Sequence, residues 1–92
     1  MEYRFHRDVD TGLPHCDQHN VSEREAIEIL RQPSDRFRRK DGTLVAEGRT
    51  IEGRYLRVIY REYPSELQIF IITAYDLTGN SKRAYRRRHR HR

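Results

Sequence analysis

The sequence of 92 residues contains a single cysteine, Cys16, and no long apolar run. One thiol excludes a framework of disulfides within the chain and is typical of a reducing compartment, so the sequence predicts a cytoplasmic location. No segment approaches the roughly 20 apolar residues that span a bilayer. The N-terminal residues MEYRFHRDVD also lack the apolar stretch of a signal peptide, so we expect no association with membranes.

Motifs for the commonest nucleotide and acyl chemistry are absent as well. The chain has no GxxxxGKS/T phosphate loop, no GxSxG nucleophile elbow and no GxGxxG turn. These motifs hold phosphates, a serine nucleophile or a dinucleotide on a backbone turn. ATP-dependent, serine-hydrolase and dinucleotide-dependent activities therefore have no support in the sequence, and we expect no cofactor.

Acidic residues are missing from one end of the chain. Residues 82–92 hold 7 of the 19 lysines and arginines and no aspartate or glutamate, whereas residues 1–81 carry 12 basic and 14 acidic side chains. The formal net charge of +5 therefore comes from the C-terminal tail. A protein that coats nucleic acid without specificity spreads its cations over a face, because affinity grows with each phosphate that is neutralised. In this chain the cations are concentrated at one end.

The length fits one domain over residues 1–92, whose small core would be only marginally stable without a partner. The clearest local signal is NVSEREAIEILRQP. Ser22 can cap the backbone N–H of Glu25 while the Glu25 carboxylate bonds back to Ser22, which predicts a helix that starts at Ser22 or Glu23 and stops at Pro33. Its apolar face is formed by Ala26, Ile27 and Leu30, with Ile29 at the border. A helix this short must dock on something to be stable in water.

The sequence predicts four antiparallel strands after this helix. The last two, YLRVIYREY and LQIFIITAY, are rich in β-branched and aromatic residues and are joined by a turn at Pro64. Asp41-Gly42 and Glu52-Gly53 are suited to the earlier reversals. The last strand is apolar on both faces, which predicts that it is covered on both sides. The predicted strands lie near residues 35–40, 43–51, 54–63 and 67–76.

Two further elements are predicted at the ends of the chain. EYRFHRDV is suited to a fifth strand, and SKRAYRRRHRHR to a helix that is capped by Asn80 or Ser81 and has Tyr85 on its inner side. Like charges four residues apart repel each other, so residues 88–92 are expected to fray. The whole pattern predicts an α+β fold: a small antiparallel sheet of four or five strands, one helix from the N-terminal half packed on it, and a short basic C-terminal helix.

Two histidines lie four residues apart, with Cys16 and Asp17 between them. On a helix, the spacing of His15 and His19 is used by zinc ligands, but no further ligands follow at a recognisable distance, so we expect no metal. One alternative is that a histidine packs or hydrogen-bonds between the N-terminal segment and the sheet. The other is a general base or phosphate ligand, since imidazole changes charge at about pH 6.5.

Arginines and tyrosines recur beside the predicted strands and in the tail. Cleavage of RNA without a metal needs a base for the 2′-OH proton, cations for the charge on phosphorus and an acid for the leaving oxygen. Arginine, tyrosine and histidine can supply all three, and aromatic rings can stack an unpaired base. The alternative is that such arginines are merely exposed and such tyrosines are half-buried core residues. The residues concerned are Arg49, Arg54, Arg57, Arg61, Tyr60, Tyr75, Lys82, Arg83, Tyr85, Arg86 and Arg87.

Three segments, HNVSEREAIEIL, GRYLRVIY and IITAYDLTGNSKRAYRRR, resemble in this order the helix start, the central strand and the final strand with its Arg-rich helix of the BrnT-like toxins. These toxins belong to the RelE-like superfamily of bacterial type II toxin–antitoxin systems, and the likeness covers most of the chain. The resemblance implies a metal-independent endoribonuclease that cleaves mRNA, free or on the ribosome, and arrests translation. It also implies a small antitoxin that neutralises the toxin by binding to its surface.

The resemblance assigns catalytic roles to His19, Arg54, Tyr75, Arg83 and Tyr85. The surrounding cations are expected to bind RNA: Arg49, Arg57, Lys82, Arg86 and Arg87. An acidic antitoxin is expected over the basic tail, and the small core together with the two-sided apolar strand independently favours a partner. The alternative is a non-catalytic module that binds RNA or protein on the same fold, because a fold does not fix a function.

Overall fold

The computed structural model describes residues 1–90, which form a five-stranded sheet and two α-helices. In chain order these are β1 (Glu2–Phe5), α1 (Glu23–Arg31), β2 (Asp35–Arg38), β3 (Leu44–Arg49), β4 (Tyr55–Tyr63), β5 (Gln68–Asp76) and α2 (Gly79–Arg88). Short 3-10 helices lie at His15–His19 and Pro64–Glu66. Within residues 1–90, neither helix is long and apolar enough to cross a membrane.

The α+β class, the early helix and the basic C-terminal helix confirm the predicted fold. The strand order is β1-β5-β4-β3-β2, and β1 pairs with β5 in parallel, with Glu2 opposite Gln68 and Phe5 opposite Ile71. The sheet is therefore mixed, which corrects the expectation of a wholly antiparallel sheet. Hairpins fix the antiparallel direction between consecutive strands, but β1 joins the sheet across almost the whole chain and no hairpin constrains it.

Helix α1 begins as its capping signal predicts. The Ser22 hydroxyl accepts a hydrogen bond from the Glu25 backbone N–H at 3.1 Å, and the Glu25 carboxylate accepts one from the Ser22 backbone N–H at 3.0 Å. Ala26 and Ile29 are buried against the sheet. A Cβ atom at Gly48 would lie 3.2 Å from the Ile29 side chain, so the glycine lets the helix approach β3 closely. This contact closes the hydrophobic core on one face of the sheet.

The strand register separates two faces of the sheet. The face toward α1 carries most of the core, including Ala46, Leu56, Val58, Tyr60 and Ile71. On the opposite face, the register aligns one polar row across four strands, made of Asp35, Glu47, Arg57 and Tyr75. Phe70 and Ile72 of β5 are only half buried, so the cover predicted for both sides of β5 is incomplete.

Helix α2 differs from its prediction at both ends. Its N-cap is Thr78, and not Asn80 or Ser81, and no side chain caps the first turn. At the other end, Arg88 lies within the helix and forms ion pairs with Asp35 and Glu47, so the expected fraying does not begin at Arg88. These carboxylates come from β2 and β3 and offset the like-charge repulsion that the sequence predicts. The remainder of that prediction, for His91 and Arg92, lies outside the described residues.

Candidate nucleic-acid interface

One tyrosine attaches the middle of α2 to the sheet. Tyr85 is 4% exposed, and its hydroxyl lies 2.6 Å from the Ser34 hydroxyl in the connection between α1 and β2. Its ring centroid is 5.4 Å from that of Tyr55 and 4.6 Å from that of His89. Tyr85 is therefore the apolar anchor of the helix, and both its ring and its hydroxyl are in contact with the protein.

Ion pairs fix the C-terminal end of α2. Arg88 Nη2 lies 3.0 Å from Asp35 and 3.1 Å from Glu47, and His89 Nε2 lies 2.8 Å from Asp35. Burial alone would raise the pKa of Asp35, but the hydrogen bonds from His89 and Arg88 outweigh it and hold the pKa below its usual value. Glu47 is only 2% exposed and also pairs with Arg57. The sheet thus supplies two carboxylates that position the last turn of the helix.

A cleft of about 730 Å³ lies beside α2. We call it the basic cleft; its lining residues are Ser34, Arg49, Tyr55, Arg83, Tyr85, Arg86, Arg87, His89 and Arg90. No carboxylate is among these residues. A second groove, of about 360 Å³, contains both Asp35 and Glu47 together with arginines. The absence of acidic side chains therefore distinguishes the basic cleft as the surface suited to an anion.

Tyr55 holds two of the cations beside the basic cleft. The Arg49 guanidinium carbon lies 5.3 Å from the Tyr55 ring centroid, and the Lys82 ammonium lies 5.0 Å from it. Both distances are within the range of cation–π attraction. Farther along α2, Arg83 donates a hydrogen bond to Asn80. The structure thereby brings Arg49 of β3 close to five residues of α2 that the sequence analysis singles out. They are Lys82, Arg83, Tyr85, Arg86 and Arg87.

Arg54 lies outside the basic cleft and is fully engaged by other residues. Its Nη1 donates to Glu25 at 2.9 Å and to the Asn20 carbonyl at 2.8 Å, while Nη2 donates to Asp76 at 3.0 Å. Burial alone would raise the pKa of Glu25, but hydrogen bonds from the Ser22 backbone and from Arg54 together lower it. The guanidinium ties the start of α1 to the ends of β4 and β5, which is a structural role.

His19, Tyr75 and Arg57 form a separate group over β4 and β5. The ring centroids of His19 and Tyr75 are 5.8 Å apart, and the Arg57 guanidinium carbon lies 6.0 Å from the Tyr75 centroid. Arg57 Nε also donates to Glu47 at 2.6 Å. Burial would lower the pKa of Arg57, but its bonds to Tyr75 and Glu47 outweigh burial and raise it. His19 and Arg57 each lie against Tyr75, but none of the three lines the basic cleft.

Three histidines, His6, His15 and His19, form a row along one side of β5. The ring centroids of His6 and His15 are 6.0 Å apart, those of His15 and His19 are 5.7 Å apart, and His15 Nδ1 lies 3.0 Å from Asp8. The histidines therefore pack and hydrogen-bond between the N-terminal segment and the sheet. Among residues 1–90, no group of three or more histidine, cysteine or acidic side chains is arranged to hold a metal ion.

Sequence reasoning missed four residues of the basic cleft, Ser34, Tyr55, His89 and Arg90, and two of them are informative. Tyr55 opens β4 directly after Arg54, and the strand pattern treats it as an ordinary half-buried aromatic. His89 falls in the segment that is expected to fray, where its contact with Asp35 has no signal in the sequence. Only the crossing of α2 over the sheet brings His89 to β2, so the pair could not be found from residue spacing.

Comparisons of the chain with protein-family models, with curated proteins and with solved structures find no match. The resemblance to the BrnT-like toxins therefore stays a prediction from the sequence.

Proposed function

We propose that this chain is a metal-independent endoribonuclease, the toxin of a bacterial type II toxin–antitoxin system, and that it binds RNA in the basic cleft. The observation that carries the proposal is the composition of the cleft. It gathers arginines from β3 and α2 around two tyrosines and a histidine, and none of its lining residues is acidic. Such a surface is suited to a phosphodiester chain.

The side chains of the cleft offer two of the groups that the reaction needs, a base and cations. Cleavage starts when a base takes the proton of a ribose 2′-OH; the oxygen attacks phosphorus, the bond to the 5′-oxygen breaks, and an acid protonates that oxygen. The products are a 2′,3′-cyclic phosphate and a 5′-hydroxyl. In neutral His89, donation of Nε2–H to Asp35 leaves Nδ1 as an acceptor, so the imidazole can take the first proton.

The arginines then stabilise the charge that builds up on phosphorus. Arg86 and Arg87 are exposed at the cleft, and within residues 1–90 neither pairs with a carboxylate. Their charge is therefore available to a phosphate, and it acts most strongly where the ligand displaces water. Tyr85 has a positioning role in this scheme, because its hydroxyl is bonded to Ser34 and its ring supports His89.

The same cleft is suited to an inhibitor. We expect the cognate antitoxin to be an acidic protein that covers α2 and excludes RNA by occupying the cations of the cleft. Both proteins would act in the cytoplasm, where a single reduced cysteine is ordinary. If addition of the antitoxin left RNA binding unchanged, this mode of inhibition would be wrong.

A second candidate function, a non-catalytic RNA-binding module, is favoured by one specific observation. The residues that the resemblance assigns to catalysis do not converge on one place. Arg54 is held by Glu25 and Asp76, and His19 and Tyr75 lie outside the cleft that contains Arg83 and Tyr85. Binding of RNA needs only the cleft, whereas cleavage also needs the acid–base residue that we assign to His89.

The test is incubation of the purified chain with labelled mRNA in EDTA, with and without ribosomes. The wild type should cleave, and His89→Gln should lower the rate by about 10²–10⁴-fold, the usual contribution of a positioned acid or base. Circular dichroism shows whether each variant is folded. Cleavage by His89→Gln at the wild-type rate would remove His89 from the mechanism.

Two further variants separate position from chemistry at Tyr85. Tyr85→Phe and Ser34→Ala both delete the hydrogen bond between the hydroxyls, but only Tyr85→Phe removes the phenol itself. A positioning role predicts similar, small losses of rate in both. A far larger loss in Tyr85→Phe alone would make the phenol a catalytic group. No cleavage by the wild type, together with RNA binding that depends on Arg86 and Arg87, would favour the non-catalytic module.

A further inference from the structure

We infer that the basic cleft recognises the sugar–phosphate backbone of RNA and does not discriminate among adenine, cytosine and uracil. The inference rests on the proposed function and specifies the substrate class of the same site. A base can be recognised by stacking on an aromatic ring or by hydrogen bonds to its edge. Both routes can be examined in the residues that line the cleft.

The ring of Tyr85 is closed to a base. Only 4% of the residue is exposed, and its ring contacts Tyr55 on one side and His89 on another. Insertion of a base would have to displace one of these rings and break the bond to Ser34. The expectation that the tail tyrosine stacks an unpaired base therefore has no support in this arrangement.

The ring of Tyr55 is similarly occupied. Arg49 and Lys82 both lie within cation–π distance of its centroid, and Tyr85 packs against it edge to face. A base that stacked on Tyr55 would have to displace a cation from the ring. Neither tyrosine of the cleft thus offers an open platform of the kind that single-strand-binding proteins use.

Apart from the partly exposed His89, the groups of the cleft that remain accessible are cations. Lys82 and Arg86 are four residues apart on α2, as are Arg83 and Arg87, so they form two adjacent rows on the helix, and Arg90 follows its end. Guanidinium and ammonium groups only donate hydrogen bonds, and phosphate oxygens only accept them. Among the residues lining the cleft there is no asparagine, glutamine, aspartate or glutamate. The side-chain types that discriminate the edges of adenine and cytosine are therefore missing from it.

Binding should accordingly depend on the number of phosphates and not on which of these three bases is present. The test uses 2′-O-methyl oligomers of adenosine, cytidine and uridine of equal length, which lack the attacking 2′-OH and cannot be cleaved. Their dissociation constants for the wild-type chain should agree within about threefold, whereas one bidentate side-chain contact to a base edge discriminates against the wrong base by roughly fivefold to a hundredfold. A deoxyribonucleotide oligomer of the same length should bind within the same range.

Two variants make the test specific to the cleft. Arg86→Ala/Arg87→Ala should weaken the binding of all the oligomers by the same factor, and Arg24→Ala, an exposed cation on α1, should leave it unchanged. A preference of about tenfold or more for one base would overturn the inference. It would also be overturned if the double variant bound as tightly as the wild type.

These outcomes are independent of the cleavage assay. If the chain binds all oligomers alike but does not cut unmodified mRNA, the inference about backbone recognition is supported and the proposed ribonuclease activity is wrong. If the chain cuts mRNA but prefers one homopolymer, the proposed ribonuclease activity is supported and the inference about backbone recognition is wrong.

Discussion

The two helices dock on opposite faces of one sheet by different forces. Helix α1 buries Ala26 and Ile29 in the hydrophobic core and carries a complete capping box. Helix α2 buries only Tyr85, and ion pairs of Arg88 and His89 provide the rest of its attachment. Burial of apolar area is insensitive to salt and mild acid, whereas partly exposed ion pairs are weakened by both.

This difference shows how one small domain can hold a strongly cationic helix. A helix docked by an apolar face needs an apolar residue at every third or fourth position, which would leave fewer positions for arginine. Anchoring by one tyrosine and two sheet carboxylates frees the outer side of α2 for cations. The consequence is that α2 should detach from the sheet more readily than α1.

The largest effect is expected from the apolar attachment. Ile29→Ala removes a side chain that is 1% exposed and should destabilise the fold by about 3 kcal/mol, through lost burial and the cavity that remains. Urea denaturation followed by circular dichroism measures this loss. A change below about 1 kcal/mol would mean that α1 contributes little to the core.

A smaller loss is expected from the polar attachment. Glu47→Gln leaves Arg57 and Arg88 without their shared carboxylate, and we expect a cost of about 2 kcal/mol, since both arginines are partly exposed and can be rehydrated. Amide hydrogen exchange should show faster opening of α2 while α1 remains protected. Equal acceleration in both helices would contradict the separation of the two attachments.

Acid should weaken the attachment of α2 and the start of α1. The pKa values of Asp35 and Glu25 are lowered in the folded chain, so each carboxylate stabilises the fold above its unfolded pKa of about 4 and loses that contribution as the pH falls through the lower, folded value. Denaturation curves from pH 6 to pH 2 measure the loss. In Asp35→Asn, the share of this acid-induced loss of stability that comes from the attachment of α2 should be absent. A pH profile equal to that of the wild type would show that Asp35 does not cause the loss.

The smallest effect on stability is expected on the outer side of α2. Arg86→Ala/Arg87→Ala should change the unfolding free energy by less than about 0.5 kcal/mol, because both side chains are exposed and, within residues 1–90, neither pairs with a carboxylate. The slope of log affinity against log salt for single-stranded RNA should fall by about 1.4, since roughly 0.7 is contributed per phosphate contact. An unchanged slope would show that these arginines do not touch phosphate.

The fold was largely predictable because its signals are local. Ser22 and Glu25 mark the start of α1, and the turns at Asp41-Gly42 and Pro64 lie between runs of β-branched residues. The parallel pairing of β1 had no such signal, because its partner β5 lies more than 60 residues away in the chain. The predicted N-cap of α2, Asn80 or Ser81, was also wrong, because the N-cap is Thr78 and no side chain caps that helix.

The candidate site was predictable only in part. The concentration of cations in the tail is visible in the sequence, and the structure brings Arg49 to the same cleft. The pairing of Arg54 with Glu25 and Asp76, and of His89 with Asp35, joins residues that are far apart in the chain. A pattern can show that an arginine is present, but not whether a carboxylate already holds it.

The sequence by itself determined the α+β class, the capped first helix and the excess of positive charge at the C-terminal end, because capping, alternation and charge are properties of neighbouring residues. Only the tertiary structure decided which cations are held and which face solvent. That choice depends on the strand register, which aligns Asp35 with Glu47 and Arg57 on the face that α2 crosses. The register and the helix crossing are long-range contacts, and no local pattern encodes them.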